Sequence, residues 1–419
     1  MRCPACDSPD LAPVADLGPV PALCGVTWAR RDEAVSSPAG PMVLRHCPAC
    51  AHVVNVAFRP GLLEYDGTYD NNLHHSPTFR EYVRGLARRL DADHRLAGRT
   101  VLELGCGKGD FLRELAAVSG CRGVGYDASF EGDVGADDDL TFVRGFLPLD
   151  GTHPTDLAPD FLVTRHVLEH LEDPYAFLVG LRGLADDRPV RGYFEVPNAS
   201  YDFATAGWDC IYPHVSYFNA ESLRRMVERA GFQVTRVSTS FSDIFLSVEV
   251  AANPSEPVGT VAVDAGVVRR QLAKLGDFAV RYAETVSTWR STIARLSAEG
   301  ANPVLWGAGA RGVAFLSAVD GPTAGSAVDG QAVNRSGAGS GVDRPGVTPR
   351  VDHARLSGVI DLNPNKWGRY LPVTGHRISA PDEIVAMKCR CVIITNPAYR
   401  DEIGERLRRM GVDADILVA

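Results

Sequence analysis

Two pairs of cysteines open the chain: Cys3-Pro-Ala-Cys6 and Cys47-Pro-Ala-Cys50. Zinc takes four thiolates in a tetrahedron, and each C-x-x-C turn supplies two, so the spacing predicts a structural Zn2+ on Cys3, Cys6, Cys47 and Cys50. A redox pair or ordinary core cysteines are the alternatives. With sulfur at all four positions no water can bind the metal, so its task is to hold together a segment too small to fold alone. Cys24 is left over and reads as buried packing. A second chemical signal is VLELGCGKGD over residues 101–110, an apolar run ending in Gly105, Gly107 and Gly109. Glycine lets a ligand approach the backbone closely. The G-x-G-x-G spacing, preceded by Glu103 and followed at the end of the next strand-like run by Asp127, suits S-adenosylmethionine better than a dinucleotide, whose pyrophosphate favours G-x-G-x-x-G. On this reading Asp127 accepts the ribose hydroxyls and Glu103 faces the cationic methionine end. A third signal is WDCIYPHVSYF, where Tyr212 and His214 stand just ahead of a helical pattern. Histidine suits proton removal because its pKa lies near neutrality, and a tyrosine hydroxyl beside it can polarise or orient an acceptor.

Positioning these groups requires alternating strands and helices. TVLELG, GVGYD, PDFLVTRH and RGYFEVP read as strands, DFLRELAAV, YAFLVGLRGLA and AESLRRMVERAG as helices, and QVTRVSTS with IFLSVEVA as a closing strand pair. Such alternation implies a parallel sheet covered on both faces. The fold class expected is α/β. A zinc-binding unit is expected over 1–60, a lid and helix over 61–98, a cofactor-binding unit over 99–252, one long connecting helix over 253–300, and a smaller α/β unit over 301–419. Residues 319–354 are dense in Gly, Ser, Ala and Pro and read as a flexible insertion. The last unit carries WGAGARG, a G-x-G-x-x-G on Gly307, Gly309 and Gly312, with Asp361 ending the next strand. It fits binding of an anionic or nucleotide portion of an acceptor; a structural remnant or a nicotinamide site are the alternatives. Asn363, Lys366, Asn396, Tyr399 and Arg311 are candidate lining or phosphate-contacting groups.

Length and composition set the bounds. A chain of 419 residues exceeds one ordinary core. The net charge of −9 speaks against a nucleic-acid partner, whose affinity rests on neutralising phosphates. No membrane partner is expected, since no apolar run reaches bilayer length and no start resembles a secretion signal, which makes the cytoplasm the default.

VLELGCGKGDF, GVGYD and RHVLEHLEDPYAFL resemble class I methyltransferases. Together with the paired cysteines, YDGTYDNNLHHSPTF, EVPN, WDCIYPHVSYFNAESLRRMVERAGF and WGAGARGVAFL…DLNPNKWGRYLPVTG, the chain resembles the three-domain, zinc-containing methyltransferases best known for carbon methylation of nucleotide-linked keto-deoxysugars in antibiotic pathways. The resemblance covers nearly the whole chain outside 319–354. It implies a Rossmann-like middle domain that binds S-adenosylmethionine at Gly105, Gly107, Gly109 and Asp127, with His166 nearby. It further implies His214 as general base, Tyr212 as polariser or orienter, His170 as a second active-site histidine and Tyr69 in a lid. The acceptor is then a nucleotide-sugar, with O- or N-methylation of another small metabolite as the alternative; an RNA methyltransferase or a non-catalytic binding protein are more distant ones. Three positions depart from the family. An adenine-binding acid is replaced by Gly145 and Phe146, so adenine rests on backbone groups and Phe146 packing. The glutamate before the catalytic histidine is Pro213, and the lid pattern Y-P-Y-x-S-S reads YDNNLHHS.

Overall fold

The computed structural model describes residues 1–63, 69–70, 72–132, 139–149, 157–185, 188–253, 264–320 and 356–419. Three sheets organise them. The largest has seven strands in the order Gln233–Ser240, Phe245–Ala252, Val190–Pro197, Phe161–Arg165, Thr100–Leu104, Arg122–Asp127 and Leu140–Arg144. Its last five strands run parallel, whereas Phe245–Ala252 is antiparallel to both of its neighbours. Val101, Leu102, Leu162 and Val163 are buried on the two faces, as the central strands of a helix-covered sheet must be. This is the Rossmann-like α/β architecture expected, and the expected closing strand pair is present. The strand order reverses at Thr100–Leu104, so a crevice opens beyond the carboxyl ends of the neighbouring strands.

Local chemistry fixes the helices around that crevice. Helix Asp110–Ser119 starts at Gly109 and stops at Gly120, both in the left-handed region. Helix Pro77–His94 begins with Ser76 accepting a hydrogen bond from the Phe79 amide and has proline in its first turn; Phe79, Val83, Leu86, Ala87 and Leu90 bury one stripe. Asn219 and Ser222 form a reciprocal cap on helix Ala220–Arg229. The connecting region is two helices, Ala265–Gly276 and Phe278–Ala298, broken at Asp277, where φ −105° and ψ 9° leave helical geometry. A single long helix is therefore corrected to a jointed pair. Of the Gly/Ser-rich stretch 319–354, Val319 and Asp320 end the helix Ala310–Asp320, and the rest lies outside the described residues. Among the described residues no helix is long and apolar enough to cross a membrane.

The amino-terminal sheet is antiparallel, in the order Ala12–Pro21, Ala39–His46, Val53–Asn55 and Ser216–Tyr217. Its fourth strand comes from the middle of the chain and begins two residues after His214. The third sheet has five parallel strands: Ile378–Ser379, Gly358–Ile360, Val304–Trp306, Cys391–Ile394 and Asp415–Val418. Its glycine turn is packed tightly, since a Cβ on Gly312 would lie 2.0 Å from the Gly307 carbonyl oxygen. One apolar cluster joins Cys24, Trp208 and Ile211 to Val313, Phe315 and Leu316, so the units share a core. Cys24 is buried there, as expected.

Gly312→Ala drives a methyl group into a backbone carbonyl. It should cost about 1–3 kcal/mol, read as a lower denaturation midpoint, while Gly404→Ala, whose Cβ would make ordinary contacts at 3.5 Å, should be close to neutral.

Candidate active site

The carboxyl ends of the central strands open into a cavity of about 910 Å3 that also reaches the glycine turn of the third sheet. Strand Thr100–Leu104 turns at Gly105, whose amide donates to the Tyr126 carbonyl at 2.8 Å. Gly105 sits at φ 79°, and a Cβ there would come within 2.1 Å of Val167, so no other residue fits without displacement. The Gly107 amide donates to Asp127 Oδ2 at 2.8 Å, and the Ser129 amide and hydroxyl donate to Oδ1 at 2.7 Å each. Asp127 is thereby held at the cavity wall with lone pairs to spare for further donors. A Cβ on Gly107 would meet nothing within 4 Å. Gly109 does not line the cavity; it lets the chain enter its helix against Phe142. Phe146 stands at the cavity 80% exposed, an apolar ring without a protein partner sufficient to cover it.

Glu103 is 2% exposed and its Oε2 has no hydrogen-bond partner. Burial pushes its pKa up to about 8; Arg165 opposes the rise. That arginine is committed elsewhere: its guanidinium reaches Glu195 Oε1 at 2.8–2.9 Å and lies over the Phe111 ring. Glu195 also accepts from Tyr82 and Tyr193, and burial is outweighed by Arg165 and His166, which hold its carboxyl well below the usual range. His166, at φ 55°, places Nε2 3.2 Å from Glu195 Oε1 and Nδ1 3.6 Å from Glu169 Oε1. Burial alone would lower its pKa, but these two carboxylates raise it to about 9.

Across the cavity His170 and His214 meet edge to face, with ring centroids 5.0 Å apart. Their Nδ1 atoms lie 3.0 Å from the Pro213 carbonyl and 3.1 Å from the Asp209 carbonyl. A carbonyl only accepts, so each Nδ1 carries the proton and each Nε2 the lone pair. Burial lowers both pKa values to about 4, which keeps the rings neutral. Tyr69 lines the same cavity and its ring packs on Gly25. Tyr212 does not belong with them. It is fully buried, its ring covers Gly40, and its hydroxyl accepts from the Arg59 amide at 2.7 Å, outside the cavity lining. The polariser expected there is corrected to a packing residue, because the proline after it turns the two side chains apart.

At the third sheet Gly307, Gly309, Asp361, Lys366, Asn396 and Tyr399 line the cavity. Asp361 repeats the pattern of Asp127: Oδ2 accepts from the Ala308 amide at 2.6 Å and Oδ1 from the Asn363 amide at 2.8 Å. Asn363 turns its side chain to Asp70 instead, and Arg311 is paired with Asp209 and Asp202, which takes both away from a phosphate role. Sequence reasoning missed Glu169, Arg165, Glu195 and Asp209; only their apolar surroundings in RHVLEHL and YFEVP hinted that those charges are buried.

The four cysteine sulfurs lie within 4.8 Å of one another, with Cys3–Cys50 at 3.6 Å and Cys6–Cys47 at 3.5 Å. A zinc tetrahedron with bonds of 2.3 Å has edges of about 3.8 Å, which these positions fit. Both turns have the same form: Asp7 and Ala51, each one residue past the second cysteine, take positive φ and donate back to Cys3 and Cys47. All ten cysteines are free of disulfides.

Residues 74–237 match the family model described as a methyltransferase domain. That span takes in the glycine turn, Asp127, His166, His170 and His214. No curated protein matches the chain. Similar solved structures include an S-adenosylmethionine-dependent methyltransferase from Mesorhizobium loti (18% identity, 40% of this chain and 99% of that chain, TM-score 0.33). Another is the magnesium protoporphyrin IX methyltransferase from Synechocystis with bound S-adenosylhomocysteine (19% identity, 42% and 84%, TM-score 0.33). A third is the 1,6-didemethyltoxoflavin-N1-methyltransferase from Burkholderia thailandensis (15%, 42% and 81%, TM-score 0.33). The chain thus carries a methyltransferase domain, and the methyl donor expected for it is S-adenosylmethionine. Its residues fit that cofactor: Glu103 offers an unpartnered buried oxygen for a cation, Asp127 a fixed acceptor for a diol, and Phe146 an uncovered ring.

The sign of the Glu103 effect follows from its raised pKa. Between about pH 5 and pH 8 the folded, ligand-free protein binds a proton there that the unfolded chain has released, so stability falls as pH rises. Glu103→Gln should flatten that part of the pH–denaturation curve relative to wild type and weaken S-adenosylhomocysteine binding by about tenfold or more, the scale of losing a charged hydrogen bond.

Proposed function

We propose that this methyltransferase acts on a small nucleotide-linked acceptor, and that the reaction is carbon methylation of a keto-deoxysugar. The observation that carries this reading is the single cavity joining two glycine turns, each with its own strand-end carboxylate, with His170 and His214 lining it. The Gly105–Gly107 turn and Asp127 hold the methyl donor, Glu103 its cationic end, and Phe146 its base. His166 charges and steadies the wall through Glu195. The Gly307–Gly309 turn, Asp361 and the buried Lys366 take the nucleotide portion of the acceptor. When bound, S-adenosylmethionine supplies an electrophilic methyl group and leaves as S-adenosylhomocysteine. His214 Nε2, the ring atom with the lone pair, takes the proton from the carbon next to the ketone; the electron pair of that C–H bond forms the new bond to the methyl carbon. His170, whose Nε2 also carries a lone pair, stands beside it to accept a hydrogen bond from an acceptor hydroxyl, and Tyr69 closes the acceptor side. The main-chain carbonyls of Asp209 and Pro213 orient the two rings, the task a glutamate at position 213 would otherwise have. They orient without adding charge, and the phosphates of a nucleotide-linked acceptor supply the negative field that lifts the basicity of His214 from its low value.

Structural zinc on Cys3, Cys6, Cys47 and Cys50 belongs to the same proposal. The strand after the second cysteine pair, Val53–Asn55, pairs with Ser216–Tyr217, and Asn219 Nδ2 donates to the Ala51 carbonyl at 2.8 Å. Holding that turn therefore holds the segment that carries His214.

Incubation with S-adenosylmethionine and a dTDP-4-keto-deoxysugar should add the mass of one methyl group to carbon; no transfer to any such sugar, with transfer to an oxygen or nitrogen of another metabolite, would replace this acceptor. His214→Ala should cut turnover about 100-fold or more with S-adenosylhomocysteine affinity intact, and unchanged turnover would remove it from the mechanism. Cys47→Ser should lower metal content and folded yield together; a metal-free, fully active variant would contradict the zinc assignment.

A further inference from the structure

We infer that Glu169, His170 and His214 form a second metal site, for a divalent transition-metal cation of the Zn2+, Co2+ or Ni2+ class, inside the acceptor side of the cavity. Each of the three offers a ligand atom, and these atoms all lie within 4.8 Å of one another. His170 Nε2 is 3.9 Å from Glu169 Oε1. In a tetrahedral site with bonds of about 2.0–2.1 Å the ligand atoms stand roughly 3.4 Å apart, so small side-chain rotations close the set.

Three independent features favour an ion over a chance cluster. Glu169 is 1% exposed and neither of its carboxylate oxygens has a hydrogen-bond partner. His166 Nδ1 faces Oε1 at 3.6 Å, beyond hydrogen-bond distance, so acceptor capacity on the buried carboxylate stays open, which is costly unless a further positive group meets it. Both histidines have their Nδ1 protons taken up by main-chain carbonyls, Pro213 for His170 and Asp209 for His214. That is the outer bond a metal-ligating imidazole makes, and it aims the Nε2 lone pair away from the carbonyl. The frame is also fixed: the Val215 amide donates to the Glu169 carbonyl at 2.7 Å, tying the two ligand-bearing turns together.

Two imidazoles and one carboxylate are a donor set for borderline first-row cations rather than for Mg2+ or Ca2+, which want oxygen. Three protein ligands leave at least one position open, and all three residues line the cavity. The open position suits an oxygen of a small ligand. An ion on His214 Nε2 occupies the lone pair that proton removal uses, so the loaded form does not use His214 as a base. The site itself stands whichever acceptor the cavity takes.

Co2+ tests it, added to full-length protein whose cysteine cluster has been filled with zinc. Wild type should take up one further Co2+ per chain, with visible bands of nitrogen and oxygen ligation and no thiolate charge-transfer absorption. Glu169→Gln and His170→Ala should each weaken that uptake by about 100-fold, on the scale seen when metal-site partners are removed. Glu169→Gln keeps the side-chain shape and removes only the charge that faces His166, and its denaturation midpoint, measured beside the uptake, separates ligand loss from misfolding. S-adenosylhomocysteine binding on the same samples reads the methyl-donor pocket separately: Co2+ uptake without it still supports the metal site, while its failure counts against the cofactor assignment. No Co2+ beyond the cysteine cluster, or uptake unchanged in both variants, or uptake showing thiolate charge transfer, would overturn the inference.

Discussion

A carboxylate buried at the end of the central strand with one oxygen unanswered is the constraint around which this enzyme is organised. Glu103 could have been paired with Arg165, whose charge acts on it from the same wall. The fold denies it that partner: Arg165 is drawn to Glu195, which is further engaged by Tyr82, Tyr193 and His166. The effect is that the cation beside Glu103 is spent on another carboxylate and Glu103 Oε2 stays unanswered. An unpaired acceptor in a low-dielectric site is expensive, and the cost is relieved only when a cation arrives. On the proposed function the sulfonium donor brings one. The hydrogen bonds that fix Asp127 to the Gly107 amide and to Ser129 then set where the rest of that ligand lies.

The second organising relation runs between units. Cysteine turns, a three-residue strand and the Ser216–Tyr217 strand form one antiparallel ladder. His214 sits two residues before that ladder, and Asp209, whose carbonyl orients it, is paired with Arg311 of the third unit. The histidine segment is thus held from one side by the amino-terminal sheet and from the other by the carboxyl-terminal one. Asp70 bonded to Asn363, and Ser76 bonded to Glu402, extend the same stitching to the segment over the cavity. Chemistry in the middle unit depends on packing in the other two.

Much of this was legible in the residues. The apolar runs and glycine turns of the middle unit predict its strands and helices because each is a local pattern: Val101, Leu102 and Leu104 are buried aliphatics, and Gly109 and Gly120 bound a helix. Paired cysteines announce their own geometry, and Asp127 stands where a second strand must end. What stayed hidden is non-local. The stretch between the cysteine pairs is rich in proline and glycine, yet Ala12–Pro21 and Ala39–His46 pair with two register shifts that absorb the irregular residues. No local signal says that Ser216–Tyr217 joins that sheet. Tyr212 looked catalytic by proximity to His214, but two residues of chain carry its ring under Gly40. Glu169 passed unnoticed because its neighbours are apolar, and burial without a partner is a property of the folded chain alone.

The central claim is that one cationic nucleoside ligand lodges between Glu103 and Asp127. A crystal structure of the protein with S-adenosylhomocysteine tests it most directly. The account predicts the amino group of the ligand toward Glu103, its ribose hydroxyls on Asp127 and its base against Phe146. A ligand seated instead on the Gly307–Asp361 turn, with Glu103 still facing an unfilled wall, would contradict it.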